Sequence, residues 1–223
     1  MKYAVLVFAA VLALSSCNAP GRPSPEARVI RPSEVVDFQA IYSQNCSGCH
    51  GKDGQGALTV GIGRPVYLAI ADDSLIQRTI EAGRPGTPMP AFAQKAGGML
   101  TEAQIATLVR GMREQWAKAF KNENLPAYAS SRPGDGAHGQ EVFTAACASC
   151  HGSDGGGARA VADPSYLSLV TDQHLRTVII VGMPNLGMPD WHSHSKPLSD
   201  ADVTDVVAWL AAHRESLSTQ LNR

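Results

Sequence analysis

Apolar and polar residues follow each other along this chain with the period of helices, in two rounds. Ile105, Leu108, Val109, Met112 and Trp116 recur three and four residues apart, which places them on one helical face. Thr101 stands before that stripe with Gln104 three residues on, the pattern of a capping box. Val203, Val206, Val207 and Leu210 draw the same stripe near the C-terminus, with Ser199 as its cap. Earlier in each round, Ser74 to Glu81 and Thr171 to Val181 read as another helix. Apolar residues three and four apart before Cys46 and before Cys147 predict a helix leading into each of those cysteines, and glycines soon after break it. No stretch reads convincingly as a sheet, so the pattern predicts an all-α protein.

Three stretches depart from this periodicity. Lys2 followed by the apolar run Tyr3 to Leu14 is too short to span a bilayer and reads as an export leader, residues 1–16. Leu14-Ser15-Ser16-Cys17 then resembles a bacterial lipoprotein signal, in which Cys17 becomes the acylated N-terminus. Residues 17–34 hold Pro20, Pro23, Pro25 and Pro32 among polar residues and read as an extended or disordered tether. Residues 118–136, with Pro126, Ser130, Ser131, Pro133 and Gly134, read as a linker between two domains, 35–117 and 137–216.

The two rounds are an internal repeat. Gly51-Lys52-Asp53-Gly54 parallels Gly152-Ser153-Asp154-Gly155 at an offset of 101. Pro65-Val66-Tyr67-Leu68 parallels Pro164-Ser165-Tyr166-Leu167, and Met89-Pro90 parallels Met188-Pro189, at 99. Leu100-Thr101-Glu102-Ala103 parallels Leu198-Ser199-Asp200-Ala201 at 98. Small drifts in offset mean short loop deletions within one plan.

The chemistry sits in the repeat as Cys46-Ser47-Gly48-Cys49-His50 and Cys147-Ala148-Ser149-Cys150-His151. C-x-x-C-H is the attachment pattern of c-type haem. Two thiols add to the porphyrin vinyl groups, and the adjacent imidazole (His50 or His151) reaches the iron. A zinc site and a redox dithiol are the bland readings of one such motif. Two copies behind an export leader favour two covalently bound haem c groups. Of the five cysteines, four belong to these motifs, and lipidation gives Cys17 a role. The formal net charge of −1 implies no polyanion, so no nucleic-acid partner is expected.

A second axial ligand is sought at equivalent positions of the repeat. Met89 and Met188 each stand on a Pro/Gly-rich loop ahead of the last helix, where a thioether can reach the iron. Met183 competes in the second half, but its counterpart is Arg84. Met99 and Met112 have no Met counterpart. His192 and His194 correspond to Ala93 and Lys95, and together with His138, His174 and His213 they are expected to be solvated.

With these residues in view, both halves resemble class I cytochrome c domains, especially those in subunits of terminal oxidases and in diheme bacterial cytochromes. The likeness runs through C-x-x-C-H, the glycines after it, a Pro-containing loop and M-P with an aromatic soon after (Met89-Pro90-Ala91-Phe92 and Met188-Pro189-Asp190-Trp191). It covers roughly residues 36–117 and 137–215. It implies a fold in which N- and C-terminal helices cross, each domain wrapping one haem. It also implies that a carbonyl near Pro65, and one near Pro164, orients the proximal His. If Arg84 helps hold a propionate, the second half must use another group. The expectation is a periplasmic, lipid-anchored diheme carrier of single electrons in a bacterial cell envelope. Its partners would be respiratory or photosynthetic: a quinol-oxidising complex, a terminal oxidase or a dehydrogenase. The alternative is a haem enzyme of peroxidase or thiosulfate-oxidising type with one open iron site.

Overall fold

Asp37, Asp72 and Thr101 each accept a hydrogen bond from a backbone N–H three residues on (2.7, 2.7 and 3.2 Å), and each starts a helix of the first half. The structure is a computed structural model that describes residues 29–56, 59–118, 120, 124–157 and 159–214. The expected leader, Cys17 and most of the tether lie outside these residues. Residues 29–35 carry one short 3-10 turn, Pro32–Glu34. Helices are the regular elements among the described residues. No strand forms among them, only two isolated bridges, Ala93 with Leu100 and Met183 with Met188.

From Val36 onward the chain is one compact unit in which the repeat is plain. The first half runs α1 (Phe38–Asn45), α2 (Ser47–His50), α3 (Pro65–Ile70), α4 (Asp73–Ala82) and α5 (Glu102–Trp116). The second runs α6 (Gly136–Ala146), α7 (Ala148–His151), α8 (Pro164–Leu169), α9 (Asp172–Val181) and α10 (Asp200–Ala211). α3 and α8 were not expected from periodicity. Each starts on a proline, whose fixed φ suits the first helical turn. Thr171 is the cap of α9 rather than its first residue, and α4 runs one residue past Glu81.

The expected apolar stripes of α5 and α10 are all buried. They pack on α1 and α6 respectively, so first and last helices of each half meet. The two crossings use opposite chemistry. In the first half Phe38 of α1 lies over Gly111 of α5, where any Cβ would strike the Phe38 ring. In the second half the small residue is Gly139 of α6, where a Cβ would strike the Asp205 carbonyl of α10. Trp116 stacks edge-on against Phe38 and Tyr42 (centroids 5.1 and 4.8 Å), while Trp209 covers Phe143 (4.4 Å).

Arginine anchors the last helix in both halves. Arg113 bonds Asp73 and the carbonyls of Leu68 and Ala71. Arg214 bonds Asp172 and the carbonyls of Leu167 and Val170, the equivalent acceptors.

Residues 126–135 of the expected linker make contacts of their own. Asp135 already caps α6, and Pro126 is buried. The buried Arg176 of α9 donates to the carbonyls of Ala127 (2.9 Å) and Tyr128 (3.2 Å), to the Thr204 hydroxyl (2.8 Å) and to Asp200. A buried guanidinium must have its donors met, and this stretch of chain meets them. Arg132 pairs with Asp205 at 2.7 Å. Residues 126–132 therefore belong to the surface of the second half. α9 also packs on α3, joining the two halves.

Candidate haem sites

Each cysteine motif forms one helical turn. The N–H groups of Cys49 and His50 both donate to the Cys46 carbonyl (3.2 and 3.0 Å), and Cys150 and His151 bond Cys147 likewise (3.1 and 3.0 Å). A turn of this kind puts residues i, i+3 and i+4 on one side. Cys46, Cys49 and His50 thus converge, as do Cys147, Cys150 and His151. The first cysteine of each motif is half-buried and the second exposed.

The imidazoles are fixed through Nδ1. His50 Nδ1 lies 3.2 Å from the Val60 carbonyl, and His151 Nδ1 lies 2.7 Å from that of Arg159. Both carbonyls stand five residues before the paired prolines Pro65 and Pro164. A carbonyl accepts, so Nδ1 carries the proton and Nε2 keeps its lone pair for a metal. The loops close back on the motifs, with Gly56 and Gly157 donating to the carbonyls of His50 and His151 (2.8 Å each). Burial pulls His50 below the ordinary histidine range, against the Val60 bond, and so favours the neutral, ligating form.

Burial, then the neighbouring thiol, pushes Cys46 and Cys147 up to about 11. A reactive dithiol needs the opposite shift, which counts against the redox reading. Among the described residues no group of three or more His, Cys, Asp or Glu side chains is arranged as a metal site by itself.

Met89 and Met188 are both half-buried, on loops after α4 and α9. Arg84 N–H donates to the Met89 carbonyl (3.0 Å), and Met183 N–H donates to that of Met188 (3.0 Å). Arg84 and Met183 therefore do the same backbone work, despite their different side chains. The Arg84 guanidinium donates to the Tyr128 hydroxyl.

Haem c brings carboxylates and a flat apolar ring, and the structure offers a test of fit. The Nε1 of Trp191 and the Nε of Arg64 are buried without a hydrogen-bond partner. Trp191 is 1% exposed, three residues after Met188. Arg64 adjoins Pro65, just past the Val60 loop. Buried orphan donors are costly, and an acidic group bound nearby would meet them. The residues present fit the group.

Of the histidines expected to be solvated, His138 and His192 are exposed, while His174, His194 and His213 are half-buried. His138 bonds Asp205 (2.9 Å) and His213 Nδ1 lies 2.9 Å from the Trp209 carbonyl. His174 is held below its ordinary range by burial, then by the charges of Arg84 and His50, which places it at the junction of the halves. Sequence reasoning passed over Arg176 and Tyr128 as well. A lone arginine in an apolar helix and a lone aromatic in a Pro/Ser linker were the signals available.

The family described as cytochrome c oxidase, cbb3-type, subunit III matches residues 33–110 and 134–210. The cbb3-type cytochrome c oxidase subunit CcoP of Cereibacter sphaeroides is 26% identical over 188 residues, covering 77% of this chain and 58% of that protein. The same-named subunit of an Azospirillum species is 26% identical over 193 residues, covering 77% and 60%. The chain thus spans about three fifths of the length of these relatives. A solved structure, the reducing HAO-like protein complex of Kuenenia stuttgartiensis, aligns over 84% of this chain and 100% of that one at 20% identity, with a TM-score of 0.48. No helix among the described residues is long and apolar enough to cross a membrane.

Proposed function

The chain belongs to the cbb3-type cytochrome c oxidase subunit III family, and from that premise we propose that it is a lipid-anchored diheme cytochrome that hands single electrons between respiratory partners. Cys46 and Cys49 would hold one haem and Cys147 and Cys150 the other. His50 and His151 would be the proximal ligands, Met89 and Met188 the distal ones. Haem c bound in this way supplies a one-electron iron couple of raised potential. The chain's own work is to orient each imidazole through Nδ1 and to bury the site against α5 or α10. Trp191 and Arg64 would give their free N–H groups to the carboxylates.

The observation that carries this reading is the doubled geometry: a one-turn C-x-x-C-H whose imidazole is clamped by a carbonyl five residues before a proline. Partners follow from the relatives' names, and a terminal oxidase is the first to try. A quinol-oxidising complex or a dehydrogenase would stand on the other side of the electron's path. Anchoring rests on Cys17, with Cys17→Ser expected to release the protein from the membrane fraction.

The test is a carbon monoxide difference spectrum of the reduced, haem-loaded protein, with the haem count measured alongside. Two haems and no adduct are expected. Met188→Ala should then admit one carbon monoxide per chain. One adduct in the unaltered protein would overturn the carrier reading and favour a haem enzyme with an open site.

A further inference from the structure

The Met loops of both halves are tied into the junction between them. Asn185, three residues before Met188, donates from Nδ2 to the carbonyls of Gln55 and Gly56 (3.3 Å each). Gly56 in turn gives its N–H to the His50 carbonyl (2.8 Å). The loop expected to bear one site's distal ligand therefore rests on the loop that closes over the other site's proximal ligand. Gln55, Gly56, Thr59, Gly61, Met183 and Leu186 close around this contact and leave a void of only about 10 Å³.

The first half makes a different tie. Arg84 holds the Met89 carbonyl through its N–H, and its guanidinium bonds the Tyr128 hydroxyl. Tyr128 is fixed from behind, because Gln173 and Arg176 of α9 both donate to its carbonyl (2.7 and 3.2 Å). The Met89 loop is thereby linked to the second half through the connecting segment.

The repeat separates docking from loop construction. The counterpart of Asn185 is Gly86, which has no side chain and nothing within 4 Å of the place a Cβ would take. Yet both loops close by the same bond, Arg84 to Met89 in one and Met183 to Met188 in the other. A Met loop does not need the asparagine in order to form. What Asn185 adds is the contact with the other half.

We propose that Asn185 and Tyr128 are positioning residues that hold the two sites in one relative placement, so that an electron crosses from one to the other at this junction. The proposal rests on the reading of both halves as haem-bearing. In the transfer one iron loses the electron that the other gains, and no bond is made or broken.

The test uses the full, haem-loaded chain with Asn185→Gly, Tyr128→Phe and both together. Packing of α9 on α3 and the Arg176 bonds remain, so the variants should fold and keep two haems with unchanged spectra. Hydrogen exchange should quicken in residues 54–61 with Asn185→Gly and in residues 84–89 with Tyr128→Phe. Exchange of one photochemically injected electron between the sites should slow several-fold in the double variant. If the double variant keeps two haems and the original transfer rate, the proposal is overturned, whether or not hydrogen exchange has changed. If the unaltered chain takes up fewer than two haems, the reading of the sites fails first and the proposal with it.

Discussion

α4 and α9 occupy the same place in the two halves, yet they meet different surroundings. α4 buries only Ile76 and Ile80. α9 buries every residue from Leu175 to Val181. α4 has one packed face, against α5, whereas α9 lies between α10 and α3. The sequences agree with this in the last turn: Val178, Ile179, Ile180 and Val181 stand where the first half has Thr79, Ile80, Glu81 and Ala82. A turn that is apolar on every side is covered on every side. The second half is thus the one built to be docked upon, and α9 is its docking element.

The crossings teach a second difference. Phe38 and Gly111 correspond through the repeat to Gly139 and Trp209, so the large and small partners have changed sides. The changes continue down the last helix. Arg113 corresponds to Ala211, and Trp116 to Arg214. The same three carbonyl and carboxylate acceptors are nonetheless reached by an arginine, and a glycine after the haem motif still lies against a tryptophan, Gly54 on Trp116 and Gly155 on Trp209. What the halves share is filled space and met acceptors, not the residue at a given offset.

The swap can be broken by mutation. Phe38→Ala empties the first crossing and should cost about 3–5 kcal/mol, read as earlier urea unfolding with hydrogen exchange quickened in α1 and α5 alone. Adding Gly111→Trp to Phe38→Gly should restore part of that loss, because it copies the second half. No recovery would mean the two solutions are not interchangeable. Gly139→Ala drives a Cβ into the Asp205 carbonyl and should cost about 1–3 kcal/mol. An unchanged midpoint would show that α6 and α10 have room to separate.

The arginine anchors give a smaller effect. Arg214→Ala and Arg113→Ala should each cost about 1 kcal/mol, since each leaves backbone acceptors without their donor. Lysine should not restore either one, because a single ammonium cannot span three acceptors. Equal losses in urea unfolding would establish that the two anchors are equivalent despite their different positions.

The smallest effect is one of pH, and it belongs to the second half only. The Asp205 bond, against some desolvation, raises His138 above its ordinary 6.5. Burial works to raise Asp205, but bonds from the Asp135 N–H, His138 and Arg132 outweigh it and hold it low. A histidine raised on folding stabilises fully below its unfolded value and loses that contribution as pH rises through its folded value. The second half should therefore weaken slightly as pH rises from about 6.5 upward, and His138→Gln should flatten the profile. The corresponding residues of the first half are Asp37 and Thr107, which make no such pair. A matching slope in the first half would refute the assignment.

Much of the fold was legible in the chain because it is decided over a few residues. Capping by Thr101 and Ser199, the stripes of α5 and α10, and the one-turn geometry of the cysteine motifs depend on bonds between residues three or four apart. Repetition then marked two domains and paired Met89 with Met188. The carbonyls of Val60 and Arg159 were only roughly placed, since a loop's path depends on what it closes against.

Tertiary structure alone decided which element fills each space. Nothing local tells Gly139 that Trp209 will cover Phe143, or tells Arg214 that it must reach the carbonyls that Arg113 reaches elsewhere. Nor does local pattern seat Asn185 on Gly56, or bind Tyr128 between Arg84 and α9. Periodicity and capping are carried by neighbours in the chain, so the sequence by itself determines them. Complementary volumes and paired donors are carried by neighbours in space, and they can be met from several chain positions, so only the folded molecule shows which were used.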